Sequence, residues 1–239
     1  MNVLILAAGL AKFESHDGGY PLFLTEVDGI PLLERLSTQV IRGGAKKVLI
    51  TLRVEDIKKY HLESVIKMIS KEISLIEVPG NTGGAACTAL IALEHLNLED
   101  ELLILNGDEL LDMDFDPVLN QFRNNSFDAG VVYFSSLHPR YSYARLDNNA
   151  MVTEVAEKNP ISKNALVGFF WFLKGRSFLL AVQNMIRKDA RVNNSFFISP
   201  ALNELILMGQ KVGSHNINNN QYYPIKNERQ LTDLSTNHP

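Results

Sequence analysis

The stretch NVLILAAG, residues 2–9, opens the chain with an aliphatic run that ends in Ala8 and Gly9. The run from Asn2 to Ala7 is too short for a buried helix, and its aliphatic side chains are typical of a strand that is covered on both faces. A glycine-bearing loop follows, from Ala8 to Pro21. The stretch therefore predicts a buried strand whose carboxyl end opens into a loop.

Strands alternate with helices through the first half of the chain. The predicted strands cover residues 2–7, 47–51, 73–78 and 102–105, and the predicted helices start at Pro31, at Glu55 (ending at Ile69) and after Gly84 (ending at Leu93). Such alternation implies right-handed crossovers and a parallel sheet. After residue 127 the pattern changes to strands at 129–134, 141–146, 152–156, 167–173 and 212–217, with helices at 177–186 and 200–208. We predict one α/β domain, residues 1–239, with a parallel half (1–127) and a mixed half (128–239).

Composition excludes several classes of function. The chain has 239 residues, of which 46% are hydrophobic and 21% charged, and its formal net charge is −4. A weakly acidic chain lacks the positive charge that nucleic acid or an anionic membrane would require, and no apolar run reaches the length of a membrane span. A single cysteine fits a reducing compartment, so we expect a cytoplasmic protein.

Three loops are predicted at one edge of the sheet, because ligands of open parallel sheets bind beyond the carboxyl ends of the strands. They are Ala8 to Pro21, Pro79 to Gly84 and Asn106 to Glu109. Glycine-rich loops expose backbone N–H groups that attract phosphate, and Asp108 is suited to Mg²⁺. Taken alone, each loop is explained better by ordinary turn geometry than by a ligand site. The three loops at one sheet edge together favour a phosphate and metal site. The P-loop, dinucleotide-binding, hydrolase and kinase motifs are absent.

Several motifs, in order along nearly the whole chain, resemble those of the sugar-phosphate nucleotidyltransferases. Residues 6–9 (LAAG) resemble the start of the family's LAAGxGxR signature, and DGIPLL at 28–33 resembles its following helix start. NTGGA at 81–85 resembles the base-proximal loop, and NGD at 106–108 the metal-binding strand end. EKNP at 157–160, VGFFWF at 167–172 and Gln230-Leu231 resemble the later motifs. The resemblance implies a Rossmann-like fold of the GT-A or nucleotidyltransferase type, with a mostly parallel mixed sheet flanked by helices.

The resemblance also implies a reaction and its residues. A sugar 1-phosphate or similar phosphorylated metabolite attacks the α-phosphate of a nucleoside triphosphate and releases pyrophosphate, with Mg²⁺ as cofactor, in envelope or polysaccharide precursor synthesis. A homodimer is compatible with the family. The implied catalytic residues are Lys12, Asp108 and Lys158; the nucleotide-binding residues Leu6, Ala7, Ala8, Gly9, Ala11, Asn81, Thr82, Gly83 and Gly107; the acceptor-binding residues Glu157, Lys158 and Gly168; and the metal ligands Asp108 and Asn227.

Departures from the family pattern leave alternatives open. Leu22 stands where a lysine is expected, Asn81 replaces a glycine, Leu166 replaces an asparagine, and no aspartate lies near residues 224–227, where a second metal ligand would fall. The second interpretation is therefore a catalytically impaired protein that binds a nucleotide or nucleotide sugar, either as a pseudoenzyme or as a regulatory subunit. The third is a glycosyltransferase, because Asp112-Met113-Asp114 spells a DxD motif. For that motif a helix-capping turn is the simpler interpretation.

Overall fold

The computed structural model describes residues 1–9, 21–225 and 230. Within these ranges the strands, numbered β1 to β13 in chain order, are Asn2–Leu6, Glu26–Val27, Ile30–Pro31, Lys47–Arg53, Ile73–Val78, Leu102–Asn106, Glu109–Leu111, Ala129–Ser135, Ser142–Leu146, Val152–Glu157, Asn164–Phe172, Val212–Asn216 and Tyr222–Pro224. The α-helices, α1 to α7, are Leu32–Arg42, Val54–Lys59, Leu62–Ile69, Ala85–Leu93, Phe115–Asn124, Gly175–Arg187 and Ala201–Leu207. Two short 3₁₀ helices cover Leu22–Leu24 and Asn219–Gln221.

A nine-stranded mixed sheet forms the centre of the molecule. Its main path runs β10-β9-β11-β6-β1-β4-β5, and β8 joins β11 to β12. The strands β6, β1, β4 and β5 are parallel to one another, whereas β11 pairs antiparallel with β6 and β8. The predicted α/β fold class, a mostly parallel mixed sheet flanked by helices, is confirmed.

Alternating side chains on the strands divide the core into two layers. Val3 and Ile5 of β1 pack on one face of the sheet, with side chains from α1, α2, α3 and α5, whereas Leu4 packs on the other with α4, α6 and α7. The fully buried Trp171 of β11 stacks on Phe122 of α5, with 5.7 Å between ring centroids. Helices therefore cover both faces, as the aliphatic runs of the central strands require.

The structure corrects one of the predicted helices and adds other elements. The single helix predicted over residues 55–69 is two helices, α2 and α3, because His61 between them has a φ of 51° and breaks the helical path. Helix α5 was not predicted, although its buried residues Phe115, Val118, Leu119 and Phe122 have helical spacing. Strands β7 and β13 pair with each other across more than 100 residues, and local sequence does not encode that pairing.

None of the described helices is both long enough and apolar enough to traverse a lipid bilayer.

Candidate functional site

A cleft of about 590 Å³ lies at the carboxyl edge of the parallel strands. Its walls include residues 6–9 after β1, the segment ahead of α4, and residues 106–109 after β6. The described parts of the three loops expected at this edge, which for the first loop include residues 8–9, therefore meet in one cavity. The mixed half closes the opposite side with residues from β9, β10 and β11.

Most of the residues singled out from sequence line this cleft. Those present are Leu6, Ala7, Ala8, Gly9, Asn81, Thr82, Gly107, Asp108, Glu157, Lys158 and Gly168. Lys12, Ala11 and Asn227 lie outside the described residues. The roles assigned to all of these residues stay predictions.

Gly83, which the resemblance assigns to the nucleotide, is not among the residues lining the cleft, whereas its neighbour Gly84 is. The carbonyl of Gly83 accepts a hydrogen bond from the Phe196 N–H over 2.8 Å. Gly84 has a φ of +125°, and a Cβ added there would lie 2.5 Å from the Phe196 carbonyl oxygen. The second glycine is thus required by the close approach of the Phe196 backbone to the start of α4.

Two hydroxyl groups stiffen the loop ahead of α4. The Oγ1 atoms of Thr82 and Thr88 are 2.7 Å apart, and Thr82 Oγ1 also donates to the Gly84 carbonyl over 3.1 Å. Because these bonds close the loop on itself, it is held in shape before any ligand arrives.

Gly107 lets the loops after β1 and β6 approach each other. Its N–H donates to the Leu6 carbonyl over 2.9 Å, and a Cβ at this position would lie 2.9 Å from the Cβ of Ala7. The next residue is Asp108, which lines the cleft, while its carbonyl accepts from the Ile225 N–H over 2.8 Å. The glycine therefore sets the position from which the Asp108 carboxylate enters the site.

Arg53, at the end of β4, joins two of the loops. Its Nε donates to the Ala8 carbonyl over 3.1 Å and its Nη2 donates to Asn81 Oδ1 over 2.8 Å, while Nη1 pairs with Glu55 at 3.1 Å. The residue is 9% exposed. Arg53 is consequently committed to the loops rather than free to reach a phosphate.

The mixed half contributes a carboxylate and a lysine from the end of β10. Glu157 accepts hydrogen bonds from the hydroxyls of Ser142 and Ser199, the latter over 2.7 Å. Lys158 has a φ of 55°, and its Nζ lies 4.5 Å from the centroid of the Phe197 ring. Arg140, which also lines the cleft, lies over the Tyr141 ring at 4.6 Å. This side of the cleft therefore carries cations suited to a phosphate.

Glu109 was not singled out from the sequence, yet it lies in the wall of the cleft. It is 4% exposed, and its carboxylate accepts from the Gly168 N–H and from the Tyr222 hydroxyl. Burial, followed by the negative charge of Glu109, raises the pKa of Tyr222. The partners come from β11 and β13, so no local pattern could have revealed this cluster; Arg140 and Ser199 were missed for the same reason.

The Asp112-Met113-Asp114 turn has a structural role. Asp114 is the N-cap of α5, and its carboxylate accepts from the Asp116 N–H over 3.2 Å. Neither aspartate of this turn is among the residues lining the cleft. The capping interpretation is confirmed. Within the described part of the chain, no three His, Cys, Asp or Glu side chains cluster as metal ligands.

Comparison with known proteins shows similarity to nucleotidyl transferases. Residues 17–219 match the family model described as nucleotidyl transferase. A UTP–glucose-1-phosphate uridylyltransferase, AglF of Haloferax volcanii, is 24% identical over 222 residues, covering 89% of this chain and 86% of that protein.

Solved structures share the fold. The nucleoside-diphosphate-sugar pyrophosphorylase of Vibrio cholerae RC9 superposes with a TM-score of 0.80 at 21% identity, covering 98% of this chain and 99% of the other. HddC of Yersinia pseudotuberculosis, crystallised with GMP-PN, gives a TM-score of 0.69 at 16% identity, covering 100% and 99%. The family match extends over most of the sequence, and the chain belongs to the nucleotidyl transferase family, among the sugar-phosphate nucleotidyltransferases.

Proposed function

We propose that this protein transfers a nucleoside monophosphate from a nucleoside triphosphate to a sugar 1-phosphate within the described cleft. An oxygen of the acceptor phosphate forms a bond to the α-phosphorus, the bond from that phosphorus to the bridging oxygen breaks, and pyrophosphate leaves. The observation that carries the proposal is the meeting of Asp108 and Lys158 in one cleft, beside the loops of the family signature. The relative from Haloferax volcanii, which is named for UTP and glucose 1-phosphate, supports the class of substrate.

The two halves of the chain divide the substrates between them in this proposal. Residues 1–127 bind the triphosphate, with the backbone at Ala7, Ala8 and Gly9 around the phosphates. Residues 128–239 bind the acceptor, whose phosphate meets the ammonium of Lys158. Glu157 is oriented by the Ser199 hydroxyl at 2.7 Å, and it accepts a hydroxyl of the sugar. Holding two anions in line is the main work of such a site, so positioning and charge carry most of the rate.

Magnesium fits the donor set of the cleft. Mg²⁺ commonly binds through one or two carboxylates together with substrate phosphates and water, and Asp108 supplies such a carboxylate beside the phosphate loops. When bound, the ion neutralises charge that develops on the triphosphate. Asp108 is the described residue that would hold it.

We place the activity in the cytoplasm and in the supply of sugar nucleotides for envelope or polysaccharide precursors. The single cysteine supports a reducing compartment. Nucleoside triphosphates, the donors in this reaction, are available there.

The test is a pyrophosphate-release assay over four nucleoside triphosphates and a panel of sugar 1-phosphates, with and without Mg²⁺. Asp108→Asn should lower kcat at least about 100-fold, since one preorganised charge-stabilising group contributes about that much. Asp116→Asn is the matched control, because Asp116 is exposed in the first turn of α5. Release that is unchanged in Asp108→Asn would overturn this role, and no release from any pair would overturn the reaction.

A binding protein with weak turnover is the second candidate, and Leu22 favours it. This side chain is buried in the wall of the cleft, at the position where the family pattern carries a lysine. If the missing cation limits the rate, Leu22→Lys should raise kcat while nucleotide affinity changes little. A variant that folds and shows no gain would remove Leu22 as the cause of low turnover.

A further inference from the structure

Strand β10 is the last strand of the sheet on the acceptor side of the cleft. It ends the sheet path, and its ladder partner is β9. The N–H and C=O groups on the outer edge of such a strand have no neighbouring strand to bond. The same strand carries Glu157 at its end, and Lys158 follows directly. The support of this outer edge therefore bears on the position of both side chains.

Asn203, in the first turn of α7, meets the outer edge of β10 at Val155. Its Oδ1 accepts a hydrogen bond from the Val155 N–H over 2.8 Å, and its Nδ2 donates to the Val155 carbonyl over 2.8 Å. One side-chain amide thus makes both of the bonds that a further strand would make to this residue. An ionised carboxylate has no donor and an aliphatic side chain has neither group, so the pair of bonds depends on the amide.

The pairing of β10 with β9 leaves this place to Asn203. Val155 lies opposite Ala144 of β9. Opposite residues of an antiparallel pair alternate between those that exchange hydrogen bonds and those that do not. The Ala144 carbonyl accepts from the side chains of Ser162 and Asn164 instead, over 2.7 and 3.1 Å. Asn203 consequently holds β10 at a residue where the ladder provides no bond.

A second bond from the same part of the chain reaches the end of β10. Ser199, two residues before α7, is 2% exposed, and its Oγ donates to Glu157 Oε2 over 2.7 Å and lies 2.9 Å from Ser142 Oγ. Asn203 therefore holds the backbone of the strand, and Ser199 holds its terminal carboxylate. Val155 is two residues before Glu157, which is about 7 Å along a strand. A shift of the backbone at Val155 would be carried to the carboxylate.

Lys158 depends on the same support. Its φ of 55° is a conformation that persists in a side chain of this kind only where the surrounding structure holds it. On the β9 side, its N–H donates to the Tyr141 carbonyl over 3.0 Å. On the outer side, Asn203 holds the strand three residues earlier. The direction of the Lys158 ammonium is thus set from both sides of β10.

We infer that Asn203 is a positioning residue for the acceptor, because it holds the backbone of β10 and so sets where Glu157 and Lys158 meet the sugar 1-phosphate. This inference rests on the proposed function, which assigns those two side chains to the acceptor. Asn203 is not among the residues lining the cleft, so it acts through the strand. The loops proposed for the nucleotide follow β1, β5 and β6, which lie elsewhere in the sheet. Loss of Asn203 should therefore affect one substrate and spare the other.

The experiment uses Asn203→Ala, which removes both bonds, adds no charge and places a strong helix former in α7. In the pyrophosphate-release assay, the KM for the sugar 1-phosphate should rise about tenfold, as expected for the loss of two hydrogen bonds that hold the site. The KM for the nucleoside triphosphate should stay unchanged. Without substrate, hydrogen exchange at the Val155 amide should become about tenfold faster. Exchange at the Val131 amide of β8 should not change, which shows that the variant is folded.

Ile66→Val is the control for a general loss of stability. Ile66 is buried in α3, on the opposite face of the sheet from Val155, and the substitution removes one methyl group from the core. It should leave the ratio of the two KM values unchanged. An equal rise of both KM values in Asn203→Ala, or wild-type exchange at Val155, would overturn the inference and leave the proposed function intact. If the wild-type protein releases no pyrophosphate from any pair, the proposed function fails, and exchange at Val155 still decides whether Asn203 holds β10.

Discussion

The Tyr222 hydroxyl donates a hydrogen bond to the carboxylate of Glu109 over 3.0 Å, and both side chains are buried. The bond joins β13, near the end of the described chain, to β7 at the floor of the cleft. Glu109 also accepts from the Gly168 N–H, on the strand that closes the acceptor side. One carboxylate therefore connects three segments of chain around the site.

Replacing this tyrosine should destabilise the protein. Tyr222→Phe leaves the buried Glu109 with one donor fewer, at a cost of about 1–2 kcal/mol in the free energy of unfolding. Urea denaturation measures the change. Tyr133→Phe, on β8, is the comparison, and an equal loss in the two variants would contradict a special role for Tyr222.

The same tyrosine should make stability depend on alkaline pH. Its pKa is raised above the ordinary value of 10.0, mainly by burial, so the folded protein keeps the phenol protonated where the unfolded chain loses the proton. The free energy of unfolding should therefore fall as pH rises above about 10, by about 1.4 kcal/mol per pH unit for one such group. Tyr222→Phe should reduce that slope, as denaturation at a series of pH values would reveal.

His215 should act at the opposite end of the pH range. Burial lowers its pKa below 6.5, and its Nδ1 lies 2.6 Å from Gln121 Oε1. Below about pH 6.5 the imidazole of His215 binds a proton in the unfolded chain but stays neutral in the folded protein. The free energy of unfolding should therefore decrease as the pH falls through that region. His215→Gln should flatten this part of the profile, and an unaltered profile would show that other groups cause it.

Gly84→Ala should cost at least about 2 kcal/mol of stability, because its φ of +125° is nearly exclusive to glycine and the new Cβ would meet the Phe196 backbone. Gly43→Ala is the matched control. Its added Cβ meets ordinary contacts at 3.5 Å or more, and no positive φ is involved. In thermal unfolding, the melting temperature of Gly84→Ala should be clearly lower than that of Gly43→Ala. Similar melting temperatures for the two variants would refute this account of the turn.

Lys158→Met should raise the KM for the sugar 1-phosphate about 10- to 100-fold, the usual worth of a hydrogen bond to a charged group. Affinity for the nucleoside triphosphate should change little, since the lysine serves the acceptor side. Lys163→Met is the control, because Lys163 is exposed and is not among the cleft residues. Equal losses of affinity for the sugar 1-phosphate and for the nucleoside triphosphate would contradict a role of Lys158 that is specific to the acceptor.

Local sequence determined the alternation of strands and helices and the position of the three loops. Two examples are the aliphatic run of β1 at residues 2–6 and the end of β6, its neighbour in the sheet, at Asn106. Both are properties of short segments, so they could be predicted without knowing which segments pack against them. The carboxyl ends of parallel strands must then share one edge. The nucleotidyltransferase resemblance followed from motifs in these loops together with others further along the chain.

Tertiary structure alone decided which atoms act together at that edge. Arg53 meets Asn81 across 28 positions and Glu109 meets Tyr222 across 113, and the Phe196 backbone packs so closely on residue 84 that only glycine fits there. Secondary-structure patterns arise from neighbours a few residues apart, whereas these contacts depend on how layers and loops pack after the chain has folded. Sequence thus located the site, and packing determined its donors, its acceptors and the residues that hold them.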